Sequence, residues 1–172
     1  MRKPNVLIAL SAACALLRGA DWPTDGGNPQ RTAWQQDEKI LNKNNVKNLK
    51  ILWKIKLDNK PQEMHSLFPP LILEKVSTSA GVKQIAIEAG ISDNLYAIDV
   101  ETGQIVWKKH FEYPTPERRG RVGDPLCPPG QTATPVIGPP NASGARNLYA
   151  LAGDGQIHTI NVANGEDRKS VV

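Results

Sequence analysis

An all-β fold of two related units, the second incomplete, is predicted by three features of the sequence. The first is the stretch Asn94-Leu95-Tyr96-Ala97-Ile98-Asp99-Val100-Glu101-Thr102-Gly103-Gln104-Ile105-Val106-Trp107, which reads as strand, tight turn, strand. Residues 95–100 are apolar and β-prone apart from Asp99, and Gly103 can take the positive φ that a short hairpin needs. The second is a weaker copy downstream. Ile98, Val100 and Gly103 return as Ile160, Val162 and Gly165, an offset of 62 residues, with Asn161 in place of Asp99. The third is that other pieces keep nearly the same spacing. Pro70-Leu71-Ile72 returns as Pro135-Val136-Ile137, 65 residues on, and residues 84–89 return as 147–152, 63 residues on. Such a repeat means stacked units. One small antiparallel sheet cannot bury both its faces, whereas sheets arranged radially around an axis can. The expected architecture is a partial β-propeller of about two four-stranded blades behind an N-terminal extension.

The elements follow in order. Arg2 and Lys3 precede a twelve-residue apolar run, 6–17, too short to span a bilayer comfortably and suited to the core of an export signal. Residues 1–20 are therefore expected to be a signal peptide. The mature protein would be periplasmic or secreted, with no transmembrane span once the signal is removed. A lipid anchor at Cys14 is disfavoured, because Ser11-Ala12-Ala13 makes a poor lipobox. Residues 21–57 form the extension. Its turn-rich start carries Trp22 and Trp34, both expected to anchor it on a sheet edge. Leu49, Ile51, Trp53, Ile55 and Leu57 then alternate with Lys50, Leu52, Lys54 and Lys56, a period of two that predicts a strand with one buried face.

The first blade, 70–111, is expected to have strands near 70–74, 83–89, 94–100 and 104–111. Residues 113–130 form a long connection rich in Pro and Gly, with Arg118, Arg119 and Arg121 read as a solvated face. The second blade, 133–172, is expected to have strands near 133–138, 146–152 and 156–162. Lys169 stands where Trp107 should recur, so the fourth strand is expected to be missing or degraded.

Composition narrows the function classes. With 172 residues, 40% hydrophobic and 22% charged, the chain has the makings of one soluble globular domain. The net charge of +4 is spread out. The lysines of 39–60 read as solvated faces, and the nearby aromatics do not interleave as stacking platforms, so no nucleic-acid partner is expected. Cys14 would leave with the signal, and Cys127 alone supports no disulfide framework. His65, His110 and His158 have no metal-ligand spacing. Asp99 is read as closing its hairpin rather than doing acid–base work.

At Ala97-x-Asp99-x-x-Thr102-Gly103-x-x-x-Trp107 the sequence resembles the tryptophan-docking repeat of the quinoprotein propellers, matching at all five motif positions. That family includes the pyrroloquinoline-quinone-dependent alcohol dehydrogenases and non-catalytic outer-membrane assembly propellers. Residues 21–23 through 45–53 are similar to the start of the dehydrogenases, and 130–137 to the start of a later blade; the resemblance covers most of 21–166. It implies that Trp107 stacks across to the next blade while the turn and Asp99 close the sheet. It also implies pyrroloquinoline quinone and calcium as cofactors.

The departures limit what carries over. The dehydrogenases hold an adjacent cysteine pair beside the quinone, but Cys127 is followed by Pro128. Their His-Glu step is absent, because His65 is followed by Ser66 and Glu63 lies on the wrong side. The calcium ligands and catalytic aspartate are implied only beyond residue 172. No catalytic, cofactor-binding or metal residue is therefore assigned on this chain. Two blades cannot close a ring, and open ends would leave apolar faces unburied. The expectation is an N-terminal fragment, or truncated reading frame, of an exported quinoprotein-like propeller. Its ancestry would be a quinone-dependent alcohol or sugar dehydrogenase, and it would not be catalytic alone. The alternative is a non-catalytic propeller scaffold whose partners are other envelope proteins or the missing blades.

Overall fold

A computed structural model describes residues 21–36, 38–58, 67–112, 131 and 133–168. The expected export signal, Glu63, His65, Arg118, Arg119, Arg121, Cys127 and Lys169 lie outside these described residues. Seven strands form two antiparallel sheets, and no α-helix occurs among the described residues. Nor is any helix there long and apolar enough to cross a membrane. The first sheet has four strands in sequence order: β1 (Leu71–Thr78), β2 (Gly81–Gly90), β3 (Asn94–Asp99) and β4 (Ile105–His110). The second has three: β5 (Val136–Ile137), β6 (Asn147–Leu151) and β7 (Ile157–Asn161). Neither sheet closes on itself.

Two boundaries differ from the sequence expectation. The loop expected at 77–81 shrinks to a tight turn at Ser79 and Ala80. There the Thr78 hydroxyl donates to the Gly81 carbonyl at 2.8 Å, and β1 and β2 run further than periodicity suggested. In the second sheet, 133–135 stay outside the ladder and β5 has only two residues.

The register also corrects the repeat. Val100 N–H donates to the Gln84 carbonyl at 3.0 Å, and Val162 N–H to the Arg146 carbonyl at 3.1 Å. Gln84 therefore corresponds to Arg146, and β2 maps onto β6 with an offset of 62, not 63. Alignment of apolar letters alone had slipped by one, which in a strand exchanges the two faces.

With the register fixed, the core has a simple description. Each sheet has a front and a back. The back of the first sheet presents Leu71, Leu73, Ile85, Ile87, Leu95 and Ala97. It packs on the front of the second sheet, which presents Ile137, Leu148, Ala150, Ile160 and Val162. The front of the first sheet presents Ile72, Ala86, Tyr96 and Ile98, and Trp53, Ile55 and Leu57 lie against it. The positions on the two fronts are equivalents of one another, so the sheets stack front to back in one direction.

Residues 49–57 are a correction. They form no strand among the described residues, and Leu49 and Ile51 are exposed. Only from Trp53 to Leu57 does the alternation reach an apolar surface. A period of two says which side chains can share a face; it does not supply a neighbouring strand to bond the backbone.

The extension stitches the two sheets together. Trp22 pairs with Ile72 at the edge of β1, and the Pro23 carbonyl accepts from Ile137 N–H at 2.8 Å. Asp21 accepts from Glu74 N–H in β1 at 2.8 Å and from the Arg146 guanidinium in the second unit at 2.7 Å. Trp34 is a further correction: it is exposed and anchors nothing. Trp22 has the β1 edge beside it, and its indole covers Gly27.

Candidate functional site

The first feature is a pair of docked indoles. Trp107 on β4 is half-buried, and its Nε1 donates to the Val162 carbonyl at 2.8 Å. Its ring lies over Gly165, where a Cβ would meet ring atoms at 2.9 Å. Trp53 repeats this on the first sheet. Its Nε1 donates to the Val100 carbonyl at 2.8 Å, and a Cβ on Gly103 would meet its ring at 2.6 Å. Both glycines have positive φ, +70° and +73°. These turns need glycine twice over, once for backbone conformation and once for the ring above it.

The other motif residues stand around the same turn. Ala97 is fully buried opposite Trp107 in the β3–β4 ladder. Its lack of bulk is what lets the core close there. Asp99 closes the hairpin: its backbone exchanges hydrogen bonds with Gln104 and Gly103 at 2.9 and 2.8 Å, and its carboxylate accepts from Glu101 N–H at 3.0 Å. The second carboxylate oxygen pairs with the Lys83 ammonium at 2.5 Å. That bond from Lys83 takes the Asp99 carboxyl below the ordinary range, against the opposing pull of burial. The Thr102 hydroxyl accepts from Gln104 N–H at 3.3 Å. In the second sheet Asn161 reproduces the turn, bonding Glu166, Gly165 and Ala163 at 2.8, 2.8 and 2.9 Å. The position equivalent to Lys83 is Ala145. Where the ammonium is lost, the carboxylate has become an amide.

A polar cluster joins the sheets beside Trp107. His158 is buried and lies between two carboxylates, with Nε2 3.0 Å from Asp154 and Nδ1 2.9 Å from Asp167. Lys109 reaches Asp167 at 3.2 Å, and Phe111 packs on the His158 ring with centroids 4.3 Å apart. Burial raises the Asp167 carboxyl, but bonds from His158 and Lys109 outweigh it and leave it below the usual range. On the first sheet Tyr96 takes the place of His158. Its hydroxyl donates to Asp58, which also pairs with Lys108. Lys108 and then Tyr96 bring the Asp58 carboxyl down to about 2.

The third feature is a groove on the front of the first sheet, with a volume of about 500 Å³. It is lined by Trp53, Ile55, Ile72, Ala86 and Ile98 among others, and Glu88 is its one charged residue. Burial without a partner charge pushes the Glu88 carboxyl up to about 7. The groove could take an apolar surface. Among the described residues no set of three His, Cys, Asp or Glu gathers as metal ligands, and the groove offers no cation to an anionic quinone. The residues described do not build a site for either group, and no chemical step is derived through them.

Sequence reasoning found Trp107 but missed Trp53 and Glu88. A signal existed for both. Trp53-x-Ile55-x-Leu57 has the spacing of Trp107-x-x-x-Phe111, and Glu88 interrupts the apolar run of residues 85–89. Asp58 carried no signal, because its partners are 38 and 50 residues away. His65, Glu63 and Cys127 lie outside the described residues. Comparison of the chain with family models, with curated proteins and with solved structures returned no match.

Proposed function

We propose that the two sheets are consecutive blades of an exported, quinoprotein-like β-propeller that is not catalytic by itself. Its ancestry would be a pyrroloquinoline-quinone-dependent alcohol or sugar dehydrogenase. One observation carries the reading: Trp53 on Val100 and Trp107 on Val162 are the same contact made twice, one repeat apart. A donor, a carbonyl and a ring-covered glycine must all recur for this to happen. Two sheets packing by chance would not reproduce all three. The five motif residues Ala97, Asp99, Thr102, Gly103 and Trp107 act here as structural parts of the stack.

Quinone and calcium enter through the resemblance alone. The test is reconstitution: purify the chain, add the quinone with calcium, and follow bound-cofactor absorbance and reduction of an artificial electron acceptor with alcohols and sugars. Neither signal is expected. Dye reduction dependent on the quinone would overturn the non-catalytic part of the proposal.

A second reading, a cofactor-free scaffold that binds proteins, is favoured by the back of the second sheet. Val136, Tyr149, Leu151 and Ile157 are exposed there on one apolar surface.

A further inference from the structure

The exposed back of the second sheet has a counterpart inside the same chain. Val136, Tyr149, Leu151 and Ile157 correspond to Leu71, Ile87, Ala89 and Leu95 of the first sheet. The latter four are at most 2% exposed, because the second sheet covers them; the former four are 41% to 44% exposed. The same positions are therefore core in one unit and surface in the next. What covers them in the first unit is a front face of defined composition.

That kind of front face is present at the other end of the stack and is covered only in part: the strap buries Ala86 and Ile98, and a groove stays open beside it. On the first sheet Ile72, Ala86, Ile98 and Val100 occupy the positions of Ile137, Leu148, Ile160 and Val162. They line the open groove beside Trp53. The strap at 53–57 sits on this face as β4 sits on the second sheet. One side of the buried junction is thus already in place, and the room left beside it is where the rest of a sheet would lie.

We propose that the partner is a second copy of this chain, docked head to tail, with the back of its second sheet on the front of the first sheet of its neighbour. The proposal rests on the stacked-unit part of the reading above and not on quinoprotein ancestry. The two surfaces differ, so the contact is heterologous, and its repetition closes a ring or continues as a filament. With two sheets per copy, rings of two, three or four copies would hold about four, six or eight sheets, the range in which radial sheets close. Glu88 opposes the contact. It stands where the second unit has Ala150, which is buried, and covering an unpaired carboxylate weakens association.

The experiment is sedimentation of the purified full chain together with two blocking variants, Leu151→Arg on the back of the second sheet and Glu88→Arg in the groove. Far-ultraviolet circular dichroism and indole emission report folding, and Ile157→Arg replaces Leu151→Arg should that variant not fold. The wild type should run at two, three or four times the mass of one chain or as an open series. Each variant alone should be a monomer. An equimolar mixture of the two should give a dimer and nothing larger, because each retains the face the other has lost. Glu88→Ala should tighten the wild-type assembly by roughly tenfold. A monomeric wild type with the Trp53 and Trp107 indoles still docked would overturn the self-association and leave the stacked-unit reading standing. A mixture of folded variants that stays monomeric would do the same. Solvent-exposed Trp53 and Trp107 indoles in the wild type would sink the stacked-unit reading itself.

Discussion

The indole Nε1 of Trp107 donates to the carbonyl of Val162 at 2.8 Å, and this bond joins the outer strand of one sheet to the turn of the next. The donor is half-buried and the ring lies on Gly165, so the bond and the apolar contact are lost together if the indole leaves. The equivalent bond from Trp53 holds a strap rather than a whole strand of a sheet.

Trp107→Phe should therefore destabilise the chain by about 2 kcal/mol, from lost area and an unpaired carbonyl. Trp53→Phe should cost about half as much, because the strap covers less. Gly165→Ala should cost about 2 kcal/mol through positive φ and displacement of the indole. Urea denaturation followed by circular dichroism measures all three. Equal costs for the two tryptophans would show that the sheet junction is not the principal contact.

A double-mutant cycle on Lys83 and Asp99 tests why the second unit has Ala145 and Asn161. Lys83→Ala should cost about 1 kcal/mol, and Asp99→Asn about the same. The double variant copies the second unit and should cost less than the sum. The carboxyl of Asp99 is lowered in the folded chain, so this pair contributes above the ordinary carboxylate value of 3.8 and is lost as the pH falls below it. Additive single costs would mean that Lys83 and Asp99 do not act as a pair.

Glu88 gives a pH dependence of the opposite sign. Its carboxyl is raised from 4.5 to about 7, so between those values the folded chain holds a proton that the unfolded chain has released. Stability should fall as the pH rises from about 4.5 to about 7. Glu88→Gln should remove that slope and stabilise the chain at neutral pH by about 1 kcal/mol, after allowance for the side chain's partial exposure. Thermal melts across the window, run at a concentration where the variant and wild type have the same mass, decide it. An unchanged slope would place the carboxylate in water.

Much of this architecture was readable in the letters. Residues 94–107 announced a hairpin because the apolar run, Asp99 and Gly103 all agree on one. Three of the four first-unit strands were expected close to where they lie, since turn residues punctuate them. What failed were statements that need a neighbour. Residues 49–57 alternate cleanly, yet alternation cannot reveal whether a strand stands alongside to bond the backbone. Trp34 resembles Trp22 in composition and setting, but only one of the two has a β1 edge beside it. The polar site was harder still. Tyr96 with Asp58, and Lys109 with Asp167, depend on which segments the packing brings together. Those distances are set by the register, and the apolar letters alone placed β6 one residue out.

The docking contact has a direction: the indole belongs to one unit and the receiving carbonyl to the unit that follows. A chain built on it has a polarity, as an actin filament or a string of plug-and-socket connectors does. Duplicating one whole unit in the gene would lengthen such a chain without disturbing any existing junction. Reversing a unit would break two. The substitutions Lys83 to Ala145 and Asp99 to Asn161 show how far two such copies can diverge, provided each still offers its ring forward and its turn behind.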